Sequence, residues 1–126
     1  MKPLRVLVVD DDRMVLQCVE VTLKPKGHDV QACENGKQAI QIATMFDPEL
    51  ILTDILMPEK DGYELITELR RLRFPARIIA MSSGGKSGFM TSQIADILRV
   101  FKVTTFLNKP FRPEQLLAAI DTEFAK

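Results

Sequence analysis

A chain of 126 residues with 17 Lys plus Arg against 17 Asp plus Glu carries no net formal charge, so no nucleic-acid or anionic membrane partner is expected from its charge balance. Its 46% hydrophobic and 27% charged residues are those of an ordinary globule, and the length suits one domain spanning residues 1–126. No apolar run approaches the roughly 20 residues that cross a bilayer, and "MKPLR" leads into a strand-like run without a cleavage region, so the expected location is cytoplasmic.

The first strand is predicted at "RVLVV", Arg5 to Val9, which runs directly into three carboxylates, Asp10, Asp11 and Asp12. Adjacent acids repel and cannot pair with one another. They either face solvent in a turn or surround a cation. Val15, Val19 and Leu23 then recur at helical spacing. Pro25 should end or distort that helix in its last turn, and Gly27 can close it. His28, the single histidine, is expected as an exposed turn residue. Cys18 and Cys33 lack any Cys-x-x-Cys or histidine spacing, so they read as core thiols rather than zinc ligands or a redox pair.

The second strand is predicted at "DVQAC", Asp29 to Cys33, with Asn35 capping a helix whose stripe is Ala39, Ile42, Ala43 and Phe46. "ELILT", Glu49 to Thr53, is the third strand. Pro58 stops the chain beyond it, and Asp61 can cap a helix striped by Leu65, Ile66, Leu69 and Leu72. "RIIAM", Arg77 to Met81, is followed by the glycine-rich "SSGGKSG", which has no Walker spacing and reads as a switch loop rather than a nucleotide loop. Ile94, Ile97, Leu98 and Phe101 make a fourth helical stripe. After "VTTFL", Val103 to Leu107, a fifth helix opens with Pro113 and Glu114 in its first turn and buries Leu116, Leu117, Ile120 and Phe124.

The pattern is (βα)5. Strands that are apolar nearly throughout, rather than alternating, suit a parallel sheet covered on both faces. Five units are too few for an eight-stranded barrel, which leaves an open, doubly wound α/β sheet. In such sheets the functional crevice lies beyond the carboxyl ends of the strands, where strand order reverses. Asp10 and Asp11 follow the first strand, Asp54 the third, Ser82 and Ser83 the fourth, and Lys109 the fifth. With the first and third strands adjacent, Asp10, Asp11 and Asp54 converge. Three carboxylates without sulfur or imidazole form an oxygen-only site suited to Mg²⁺. A lysine and a strand-end hydroxyl in the same mouth add the chemistry that recognises a phosphoryl group.

"VLVVDDD", "ILTDILMPEKDGYEL", "IIAMSS" and "FLNKPF" occur in that order along the chain. Together they resemble the receiver domain of bacterial response regulators, in a CheY-like, stand-alone form, over essentially the whole length. The resemblance implies strand order 2-1-3-4-5. It implies that Asp54 accepts phosphoryl from a sensor histidine kinase or a phosphotransfer protein, with Mg²⁺ held by Asp11, Asp54 and the carbonyl of Leu56. Asp10 would support the metal, Lys109 would pair with the phosphate, and Ser82 and Phe106 would be the switch residues. The implied product is a signalling protein rather than a turnover enzyme, monomeric or dimerising on phosphorylation. It would act on a separate partner through the face made by the fourth helix, fifth strand and fifth helix. Where many members carry Gly-Ala before the fifth strand, this chain reads "VFKV", Val100 to Val103, so a different turn is expected there. The competing reading is a binding module that keeps the fold and works without phosphorylation. A related aspartate-based phosphatase would need a second acid at Leu56, which cannot donate a proton.

Overall fold

The computed structural model describes residues 2–55, 62–82, 96 and 98–126, with the side chains of Gly62 and Tyr63 outside that description. Five parallel strands are present: β1 (Arg5–Val9), β2 (Asp29–Cys33), β3 (Leu50–Asp54), β4 (Arg77–Ser82) and β5 (Thr105–Asn108). They lie in the order β2-β1-β3-β4-β5, as expected. The helices α1 (Arg13–Leu23), α2 (Gly36–Phe46) and α3 (Gly62–Arg71) connect the early strands, and a C-terminal helix (Pro113–Phe124) closes the chain. Of the expected fourth helix, residues 96 and 98–100 are helical, while Ile94 and Ile97 lie outside the described residues.

Strand side chains alternate between two cores. Leu7, Val9, Ile51, Ile78 and Ala80 pack with Ala39, Ala43, Leu65, Ile66, Leu69 and Leu98 on one face. Val6, Val8, Leu52, Ile79 and Met81 pack with Leu16, Val19, Leu23, Leu116 and Ile120 on the other. Because both faces are covered, β3 is buried at every position. That is why "ELILT" has almost no polar alternation. β5 lies at the sheet edge and does alternate, with Thr105 and Leu107 buried and Phe106 and Asn108 exposed.

Local chemistry sets the boundaries. α1 stops at Leu23, and Pro25 sits in a 3-10 turn, Lys24–Lys26, that ends on Gly27 at φ 94°. This is the distortion that proline was expected to impose. The Asn35 side chain accepts from the Gln38 backbone N–H at 2.9 Å, satisfying one unpaired donor of α2. Leu72 follows the last residue of α3 and is 53% exposed, so its helical spacing is not used. The "VFKV" turn places Lys102 at φ 64°. Its N–H bonds the Arg99 carbonyl at 3.0 Å and the Val103 N–H bonds that of Leu98 at 2.8 Å. This ends the helical residues without a glycine. The expected stop at Pro58, cap at Asp61 and switch loop at 83–88 lie outside the described residues.

His28 is a correction to the sequence reading. It is only 6% exposed, and its Nδ1 accepts from the Leu4 N–H at 3.0 Å, tying the entry of β1 to the turn before β2. Cys33 is buried as expected, and burial pushes its thiol up to about 11; Cys18 is half-buried, and both thiols are free. Burial, with Lys26 adding repulsion, holds the His28 imidazole below its ordinary pKa. The unfolded chain therefore takes up a proton at higher pH than the folded one. The stabilising contribution of neutral His28 is complete above the ordinary value of about 6.5 and declines as pH falls toward the folded pKa. Urea titrations at several pH values between 5 and 7.5 should show this decline in the wild type. The slope should be shallower in His28→Gln; identical slopes would remove His28 from the pH response.

Candidate metal centre at the strand ends

Three strands deliver the polar cluster. Asp10 follows β1, and its backbone N–H donates to the Cys33 carbonyl at 3.1 Å, so the β1/β2 ladder extends to this residue. Its side chain is wholly buried. Oδ1 accepts from the Asp12 N–H at 2.9 Å, and Oδ2 accepts from Lys109 Nζ at 2.8 Å. Asp12 turns to cap α1, accepting from the Met14 N–H at 2.9 Å. Asp11 is left exposed. The three consecutive acids are thus divided among a buried ion pair, an open carboxylate and a helix cap.

Asp54 ends β3 and is 5% exposed. Lys109 donates to its Oδ2 at 2.8 Å, so one ammonium bridges Asp10 and Asp54 across the β1/β3 junction. The Lys109 backbone is fixed by its N–H bond to the Ser82 carbonyl at 2.6 Å. Burial raises the Asp10 pKa above the ordinary carboxylate value, opposed by Lys109 and the Asp12 N–H. Burial also disfavours the Lys109 ammonium, but its bonds to Asp10 and Asp54 outweigh that and raise its pKa. Lys109 is a resident cation.

One carboxylate oxygen from each of Asp10, Asp11 and Asp54 lies within 4.8 Å of the others. Among the described residues, three carboxylates face one ammonium, that of Lys109, an excess of negative charge when the acids are ionised. An all-oxygen donor set with that charge, one member of it open to solvent, fits a hydrated divalent cation such as Mg²⁺. These residues are positioned to coordinate one.

Ser82 ends β4, is 6% exposed, and its hydroxyl donates to Asn108 Oδ1 at 3.2 Å. Phe106 lies on β5, paired in register with Ala80, and is 43% exposed. Leu56 and Ser83 lie outside the described residues. Two roles were missed in the sequence reading. An acid immediately ahead of the α1 stripe is a helix-cap signal that would have singled out Asp12. Asn108 gave no comparable signal, because its importance comes from facing Ser82 across the β4/β5 ladder.

Among the described residues, no helix is long and apolar enough to cross a membrane. The chain matches the family described as "Response regulator receiver domain" over residues 6–121. The cell cycle response regulator CtrA of Brucella ovis is 30% identical over 119 residues, which cover 93% of this chain and 48% of CtrA. This chain therefore spans about half the length of the curated relatives it matches. Among solved structures, the Vibrio cholerae chemotaxis protein CheY4, crystallised at low pH, aligns with a TM-score of 0.85 at 25% identity, covering 97% of this chain and 99% of that one. A CheY-like receiver domain protein from Methanospirillum hungatei JF-1 has the same fold, with a TM-score of 0.85 at 22% identity over 98% and 95% of the two chains. The matched family, the sheet order and the triad of acids agree: this chain belongs to the response regulator receiver domain family.

Proposed function

We propose that Asp54 is the phosphoacceptor of this domain, charged by a sensor histidine kinase or a phosphotransfer protein. The observation that carries this reading is the Lys109 ammonium held at 2.8 Å from both Asp10 and Asp54. It pins Oδ2 of Asp54, orients the carboxylate at the crevice, and stands ready to compensate charge arriving on the same group. Asp11 and Asp54, with Asp10 in support and the Leu56 carbonyl as a further ligand, would hold Mg²⁺. When bound, the ion supplies neutralising charge to phosphoryl oxygens.

The acyl phosphate then acts through Ser82. Its hydrogen bond to Asn108 is neutral and, at 3.2 Å, long for a hydroxyl donor. A charge-assisted bond to a phosphoryl oxygen is stronger, so the hydroxyl exchanges one acceptor for the other. Phe106, half-exposed on the neighbouring strand, reports the change to the surface formed by the fourth helix, β5 and the C-terminal helix. A separate protein reads that surface, without nucleic acid or membrane, and the domain is a monomer or a phosphorylation-dependent dimer in the cytoplasm. Against a phosphorylation-independent binding module stands the joint presence of Asp10, Asp11, Asp54 and Lys109 in one cluster.

The test is intact-mass analysis after incubation with a small acyl phosphate donor. One added phosphoryl mass is expected with Mg²⁺ and none after chelation. An unmodified protein, or uptake indifferent to chelation, would overturn the assignment.

A further inference from the structure

We propose that a second cleft, at the end of the sheet away from Asp54, binds a small organic anion: a carboxylate or phosphate ester carried on a planar apolar group. The cleft has a volume of about 490 Å³ and lies where β4 begins, bounded by Arg70, Pro75, Arg77, Phe101, Lys102 and Glu123. That volume falls within the range of small-molecule sites.

Its charge is unbalanced. Arg70, Arg77 and Lys102 contribute three positive charges, and Glu123 one negative. That acid is already committed. The Glu123 side chain is 6% exposed, with Oε2 at 3.3 Å from Arg77 Nη1 and Oε1 accepting from Thr105 Oγ1 at 2.7 Å. Among the described residues, no carboxylate lies within ion-pair distance of Arg70 or Lys102. Glu123, shared with Arg77, is the one acid that acts on Arg70 among the described residues, and it does so from beyond ion-pair distance, so the cleft keeps a net positive charge.

Arg70 is built into position. Nε donates to the Phe101 carbonyl at 3.0 Å, and Nη1 donates to those of Phe74 and Ala76 at 2.9 and 2.8 Å. These bonds fix the guanidinium but leave its formal charge in place, and among the described residues Nη2 has no acceptor. A stapling role accounts for Nε and Nη1 and leaves the remaining edge of the fork unused. A guanidinium held rigid in this way loses little entropy on gripping an anion. Val100, which is 74% exposed, and Phe101 supply apolar surface on the same rim. Cations beside an apolar wall select an anion with a hydrophobic body over a bare ion.

The experiment titrates the ¹⁵N-labelled full chain, in metal-free buffer, with benzoate, phenyl phosphate and the uncharged benzyl alcohol, each at constant ionic strength. Expected are saturable amide shifts at Arg70, Ala76, Arg77 and Val100 to Lys102 with a Kd of roughly 1 mM for at least one anion, and none with benzyl alcohol. Benzoate binding alone would identify a carboxylate ligand, phenyl phosphate binding alone a phosphate ester, and binding of both the shared chemistry. Lys102→Glu reverses an exposed charge while leaving the Arg70 staple intact, and should weaken binding about tenfold. Val100→Glu should act in the same direction from the apolar part of the rim. Non-saturating shifts, shifts centred on Asp10, Asp54 and Lys109, or unaltered affinity in both variants would overturn the proposal.

Discussion

Asp54→Asn is expected to accept no phosphoryl group under conditions that modify the wild type fully. The substitution keeps the side-chain volume at a crowded strand end but replaces a nucleophilic carboxylate with an amide. Stability should change little, because Asp10 keeps its own 2.8 Å bond to Lys109 and the amide oxygen can still accept from the ammonium. Intact mass and a thermal melt on the same sample separate loss of chemistry from loss of fold. Stoichiometric modification of the folded variant would move the acceptor to another residue.

Lys109→Met should be the most destabilising single change at the crevice. The Lys109 side chain is 12% exposed, and its two partners are 0% and 7% exposed, so removing the ammonium takes away a cation shared by two buried carboxylates 99 and 55 positions away in sequence. Breaking such a buried pair costs about 3 kcal/mol. The loss should be largest in chelator and partly recovered by Mg²⁺, since the site becomes more negative and a divalent cation takes over the charge compensation. Urea denaturation of both proteins with and without Mg²⁺ measures this. A variant as stable as the wild type in chelator would show that the bridge contributes nothing net. A Mg²⁺ increment no larger than that of the wild type would show that the acids do not form a common metal site.

The central strands were legible almost to the residue because burial on both faces demands uninterrupted aliphatic runs, and few other elements of this length look alike. β1 has its predicted bounds, and β3 and β4 differ by no more than one residue at either end; β2, an edge strand of sequence DVQAC, also has its predicted bounds, set by the turn residues on either side of it. β5 was harder. Val103 reads as strand and is buried, but it packs just after the Lys102 turn, and pairing begins only at Thr105. Leu72 shows the converse error, since helical spacing persists one residue past the end of α3 into a turn where it buries nothing.

For the crevice, residue type and strand-end position were properties of the chain itself. An acid-rich turn after one apolar strand, a lone Asp after another and a Lys after a third follow from local pattern, because strand ends are punctuated locally. How those groups divide their work was decided only by the tertiary structure. Nothing local distinguishes Asp10, buried against Lys109, from Asp11, open to solvent; of the three, only Asp12 carries a local signal, as the acid directly ahead of α1. Likewise, nothing near His28 announces that the Leu4 N–H will need its imidazole. These roles depend on parallel crossovers that bring remote strand ends together, and the low dielectric of the interior then makes each resulting contact worth far more than the same residues could exchange along the unfolded chain.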